Sequence, residues 1–151
     1  EDEDMNESLK VKSNVLIKLK GPDGKVKKEV NKNNLIVNVG RDGIADQLLP
    51  SPTIGKPTHM QLGEGTTAPS LSDSNLEVPI GDRKVLGVSR SSNDVEYTAV
   101  FGPGESTGAI TEAAIFNASS GGAMYARIVF DVINKGAEDT LEVIWTWTIG
   151  S

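Results

Sequence analysis

The alternation near the C-terminus constrains this chain more than any other feature. Leu141, Val143, Trp145, Trp147 and Ile149 fall on every second residue, with Glu142, Thr146 and Thr148 among the residues between them. Successive side chains of a strand point to opposite faces, so this spacing sets an apolar face against a polar one. The opening of the chain repeats the pattern. Leu9, Val11, Val15, Ile17 and Leu19 lie on one side, and Lys10, Lys12, Lys18 and Lys20 lie mostly on the other. Gly21-Pro22-Asp23-Gly24 then supplies a turn, with Pro fixing φ and Gly free to take a positive one. Residues 25–30 return as the partner strand of an N-terminal β-hairpin.

Further strands are expected at 58–62, 84–89, 94–101, 110–117, 123–130 and 141–149, separated by Ser/Asn/Gly-rich turns. One short helix is expected, opened by Asp42 as the acceptor for its free amides, with Ile44, Ala45, Leu48 and Leu49 on one face and Pro50 as its stop. Many short strands and one helix predict a mainly β fold. The expected architecture is a single antiparallel β-sandwich, of jelly-roll or Greek-key type, over 9–151, preceded by an acidic flexible arm at 1–8. With 151 residues the chain can bury a core without staples.

Composition removes several kinds of chemistry. The chain has no cysteine, so disulfides, thiolate metal sites and cysteine nucleophiles are out. Fifteen basic residues against 21 acidic ones leave no nucleic-acid footprint. No apolar run reaches the roughly 18 residues of a membrane span, and Glu1-Asp2-Glu3-Asp4 is the reverse of a signal peptide's basic start. A soluble chain, without membrane insertion or an export signal, is expected.

Each candidate chemical motif has a structural reading beside it. Gly63-Glu64-Gly65-Thr66-Thr67-Ala68 formally matches a dinucleotide-binding glycine pattern, but Pro69 and a Ser/Asp-rich loop follow where that mechanism needs a helix N-terminus. His59 is the only histidine, and no Gly-x-Ser-x-Gly elbow accompanies it. The carboxylate pairs Asp94/Glu96, Glu105/Glu112 and Glu138/Asp139 would serve a glycosidase only if two faced each other across a cleft. No catalytic residue, metal ligand or cofactor is expected.

The interaction candidates are clearer. Residues 9–32 hold eight Lys against Asp23 and Glu29, which suits either docking on an acidic surface or protection of an exposed sheet edge. Lys10, Lys12, Lys18, Lys20, Lys25 and Lys27 are therefore interface candidates. Trp145 and Trp147 share one strand face and belong to a core or a subunit interface, with a sugar-stacking platform as the sharper reading of the pair. The polar loops at 63–75, 102–108 and 118–122, with Glu64, Thr66, Thr67, Pro103, Glu105, Ser119 and Ser120, are expected to face outward.

Several stretches taken together resemble small virion structural proteins of tailed bacteriophages and prophages. They are Asn34-Leu35-Ile36-Val37-Asn38-Val39-Gly40, Met60-Gln61-Leu62-Gly63-Glu64-Gly65-Thr66-Thr67-Ala68-Pro69, Phe101-Gly102-Pro103-Gly104-Glu105 and Glu112-Ala113-Ala114-Ile115-Phe116, with Trp145-Thr146-Trp147-Thr148 at the end. Such proteins are labelled tail-fibre-like or head decoration. The resemblance covers roughly residues 34–149 and implies a non-enzymatic protein on the particle exterior, assembled in the host cytoplasm. Implied partners are copies of itself and other capsid or tail proteins, with a host surface glycan as a further one. The chain shows no fibrous shaft or coiled-coil heptads, which favours head decoration over tail fibre or tail tip. Two rival functions stay open: a carbohydrate-binding receptor module, and a filament subunit joined by strand addition through residues 9–20.

Overall fold

Two five-stranded antiparallel sheets face each other in the computed structural model of the chain, which describes residues 10–150. The acidic arm expected at 1–8 lies outside the described residues. In chain order the elements are β1 (Val11–Lys20), β2 (Val26–Asn33), β3 (Leu35–Ile36), α1 (Asn38–Asp46), β4 (His59–Gly63) and β5 (Pro79–Val85). They continue with β6 (Gly87–Ser91), β7 (Asp94–Phe101), β8 (Gly108–Phe116), β9 (Met124–Lys135) and β10 (Thr140–Ile149). One sheet runs β2-β1-β10-β7-β6 and the other β3-β9-β8-β4-β5. The fold is therefore the mainly β sandwich the alternation predicts, with its N-terminal hairpin and one helix.

Hairpins β1–β2 and β6–β7 lie in the first sheet, β4–β5 and β8–β9 in the second. The chain's last strand, β10, returns between β1 and β7, a Greek-key type of return. It pairs with β1 over its whole length, Val11 opposite Ile149 and Lys20 opposite Thr140. The two most regular alternations in the sequence thus sit side by side at the centre of one sheet. Val15, Ile17, Val143, Trp145, Ala99 and Phe101 point inward from that sheet. They meet Met60, Leu62, Ile110, Ile115, Ile128 and Ile133 of the other, all buried.

Three expectations need correction. Residues 84–89 are not one strand: β5 ends at Val85, the buried Leu86 carries the chain between sheets, and β6 begins at Gly87. The helix begins at Asn38, after Val37 and without a side-chain cap, so Asp42 lies inside it. Its buried residues are Gly40 and Gly43, not an apolar stripe. A Cβ on Gly40 would run into the Tyr125 carbonyl oxygen, and one on Gly43 into the Tyr125 hydroxyl. Glycine lets this helix sit directly on β9. Leu48 and Leu49 fall beyond the helix in a turn, with Leu48 86 % exposed. Finally, β1 is flanked by β2 and β10, so residues 11–20 offer no free edge for strand addition; the free edges of that sheet are β2 and β6.

Candidate interaction surface

The sequence motif around Gly63 is built around a carboxylate of its own chain. Glu112, on β8, is fully buried. Its Oε2 accepts the Gly65 and Val78 amides at 2.8 and 2.7 Å, and its Oε1 accepts the Glu77 amide at 3.0 Å. Arg127, 2 % exposed, donates from Nε to the same Oε1 at 2.9 Å. The Arg127 guanidinium also reaches Asp73 Oδ2 and the Thr67 carbonyl, both at 3.0 Å. A Cβ on Gly63 or Gly65 would lie 2.5 Å from Glu112 Oε2, so both glycines are there to let the carboxylate in. Both partners of the buried pair are hydrogen-bonded, the condition under which a buried pair is tolerated.

This centre folds the loop between β4 and β5 back over the second sheet, where Leu76 joins Val37, Ala114, Phe116 and Met124 in a small outer core. Glu77 ties the tip down, accepting the Thr66 and Thr67 amides at 2.8 and 2.9 Å and the Thr67 hydroxyl at 2.5 Å. Those bonds hold its carboxyl below the ordinary value, the Thr67 hydroxyl contributing most. Glu64 is exposed and accepts the Ala109 amide at 3.0 Å. Glu64, Thr66 and Thr67 are solvent-exposed, as expected, but the loop that carries them is a cover on a sheet.

The other two loops lie at opposite ends of β8 and share no surface. Pro103 and Glu105 are exposed in the β7–β8 turn, where Glu105 accepts the Gly102 amide at 2.7 Å and pairs with Lys84 at 2.7 Å. That pairing, first, and the amide bond keep its carboxyl low. Ser119 and Ser120 are exposed in the β8–β9 turn, which Arg83 braces by donating to the Ala118 and Gly121 carbonyls at 2.8 Å while stacking on Phe116.

The hairpin lysines divide into three groups. Lys10, Lys12 and Lys25 are exposed and make no ion pair among the described residues. Lys18 and Lys20 are half-buried on the outer face of β1; Lys18 lies between Glu142 and Glu29 in register, and Lys20 pairs with Glu142 at 3.6 Å. Lys27, Lys28 and Lys32 of the edge strand β2 reach across to the rest of the sandwich. Lys27 pairs with Asp139 at 2.9 Å, while Lys28 and Lys32 each donate to a β9 carbonyl, of Val132 and Val129, at 2.7 Å. The Lys27 pair, foremost, holds the Asp139 carboxyl low. Lysine on β2 therefore ties this free edge strand to β9 and to the turn before β10.

The tryptophans are core residues. Trp145 is fully buried and its Nε1 donates to Ser13 Oγ at 2.8 Å. Trp147 is 3 % exposed, meets Tyr97 edge-on at 4.7 Å and stacks with Tyr125 at 6.1 Å. Its Nε1 has no acceptor, a desolvation cost of about 1–3 kcal/mol. Neither ring lies open as a sugar-stacking platform. One member of each carboxylate pair has a partner within the fold: Asp94 accepts from Thr148, Glu112 is buried on Arg127, and Asp139 pairs with Lys27. His59 is half-buried on β4, its Nδ1 2.8 Å from Thr58 Oγ1.

Sequence reasoning did not anticipate a cavity of about 660 Å³ at the end of the sandwich where β1 begins and β10 finishes. Its walls are mostly apolar and include Leu48, Val88, Tyr97, Tyr125, Trp147 and Ile149. Gln47 and Asp46, at the end of α1, hold one wall by bonding the segment that follows, Gln47 to the Ile54 carbonyl at 2.6 Å and Asp46 to the Thr53 and Ile54 amides at 2.8 and 2.7 Å. Burial pushes the Tyr97 phenol up to about 12. Val88, opposite Tyr97 in register, is 58 % exposed.

Set against known proteins, the chain matches no family model, no curated protein and no solved structure.

Proposed function

We propose that the chain is a non-enzymatic structural protein of a tailed-phage particle, displayed on the head exterior as a decoration or accessory module. The observation that carries this reading is the contrast between the two outer faces. One is roofed by the β4–β5 loop, whereas no helix or strand lies over the other among the described residues. The bare face presents Lys12, Asn14, Leu16 and Lys18 of β1 beside Glu142, Ile144, Thr146 and Thr148 of β10. Asn14 further binds Asn31 and Asn33 of β2 at 2.8 and 3.1 Å. A flat strand face of amides, hydroxyls, mixed charge and two aliphatics suits weak contacts that symmetry repeats into firm attachment. The loop carboxylates support the same reading, since Glu77, Glu105 and Asp139 act as braces.

Immunogold electron microscopy of particles released from cells carrying the gene tests this. Gold on particle heads is the expected result. Gold confined to tails would overturn the head location, and unlabelled particles would overturn the virion assignment itself.

A further inference from the structure

The cavity at the open end of the sandwich has fixed walls and a chemical preference. We propose that it binds a small anionic amphiphile free in solution, a monocarboxylate whose apolar chain lies against the aromatic walls and whose carboxylate meets Lys56. The inference is independent of the virion reading.

The walls are tied together by the fold itself. The Tyr125 hydroxyl donates to the Gly55 carbonyl at 2.7 Å, Gln47 donates to the Ile54 carbonyl, and Asp46 accepts the Thr53 and Ile54 amides. The segment 53–55 is thereby held to both α1 and β9. From the sheets, Trp147 packs on Tyr97 and Tyr125, with ring centroids 4.7 and 6.1 Å apart. The Trp147 N–H lacks an acceptor, so the unliganded fold leaves it unmatched. The space between, about 660 Å³, falls within the range of small-ligand clefts, about 300–1,000 Å³. Leu48 and Val88 line it yet stay 86 % and 58 % exposed, and an apolar chain laid against them would remove that surface from water.

Charge selects the head group. Lys56 lines the cavity, is exposed, and makes no ion pair among the described residues. A lysine stem packs along apolar surface while its ammonium stays in water, which suits the mouth of such a cavity. No acidic residue is among the described lining residues, and Asp46, at the end of α1, is engaged by the Thr53 amide and hydroxyl and by the Ile54 amide. An anionic head is therefore matched at Lys56 and a cationic one opposed. The rings do not reverse this preference, because they pack on one another instead of forming an open cage for a cation. One lysine matches one carboxylate, whereas capture of an anionic membrane surface relies on clusters of basic residues.

Fluorescence titration of the full chain tests this. Anilinonaphthalene sulfonate, itself an anionic aromatic amphiphile, should bind at one site per chain, and dodecanoate below its micelle threshold should displace it. Dodecyltrimethylammonium, with the same tail and the opposite charge, should bind about fivefold more weakly than dodecanoate, and Lys56→Glu should bring the two level or reverse their order. Leu48→Asp and Val88→Asp change exposed wall residues and should each weaken dodecanoate about tenfold. Dodecanoate brominated at its chain end should quench Trp147 in the Trp145→Phe chain and leave Trp145 unquenched in the Trp147→Phe chain. Probe binding that does not saturate, or dodecanoate affinity unchanged in both wall variants, would overturn the site. Equal affinity of the wild-type chain for the two head groups would overturn the carboxylate assignment. Displacement of the probe by phosphatidylglycerol vesicles but not by dodecanoate would overturn a free ligand, placing the cavity on a membrane.

Discussion

The two unusual regions of this sandwich are opposites. On the outer face of the second sheet, the ion pair Glu112–Arg127 is buried, and the Glu112 carboxylate accepts three backbone amides besides Arg127. At the open end, Trp147 and Tyr97 are buried in apolar surroundings, the Trp147 N–H has no acceptor, and Leu48 and Val88 remain exposed. The first region has the more costly groups and satisfies them all, so it is structural. The second leaves apolar surface and a donor unmatched, which is what a surface awaiting something else looks like. Charge in this molecule marks what holds the fold; its absence marks where the fold is open.

Perturbing each region should separate the two. Glu112→Ala leaves Arg127 charged and buried and frees three amides, and should cost about 3–5 kcal/mol in chemical denaturation. Leu48→Asp, at the other extreme, should change stability by less than about 0.5 kcal/mol while weakening apolar-probe binding. Between them, Gly65→Ala drives a Cβ against Glu112 and the Glu77 side chain, each 2.5 Å away, and should cost about 1–3 kcal/mol. The two tryptophans give a finer comparison. Trp145→Phe forfeits the bond to Ser13, while Trp147→Phe removes a donor with no partner, so the first should cost about 1 kcal/mol more in the same denaturation assay.

Acid should act through the carboxylate braces, Asp46 at the cavity wall among them. The carboxyls of Glu77, Glu105, Asp139 and Asp46 are all held below their ordinary values by hydrogen bonds and, for Glu105 and Asp139, by lysine partners. On acidification the unfolded chain therefore takes up protons first. The stabilisation is whole above the usual carboxylate range near pH ~4 and is lost as pH falls through the lowered folded values. Melting temperature should be level from neutrality towards that range and then drop, and Glu77→Gln should make the drop shallower.

The sequence carried the framework unevenly, for physical reasons. β1, β7 and β10 were legible because each has one buried and one solvated face, and period two survives in the residue order. β5 was not, since Pro79 and Gly81 interrupt it and it lies at an edge with little to bury. The helix start was misplaced because Asp42 resembles a cap, whereas tertiary contact of Gly40 and Gly43 with Tyr125 decides where the helix sits. Gly63 and Gly65 read as loop glycines; the carboxylate that requires them comes 47 residues after Gly65 in the chain. The cavity depends on where α1 and β10 end and β7 begins relative to one another, and no local pattern reports that.

Hydrogen exchange at the amides of Gly65, Glu77 and Val78 tests most directly whether the β4–β5 loop is a structural cover. These amides should exchange as slowly as those of the central β1–β10 pairing, and Glu112→Gln should release all three together. Fast exchange in the wild-type chain, at the rate of an exposed loop, would contradict the assignment of Glu112 as the centre that folds this loop onto the sheet.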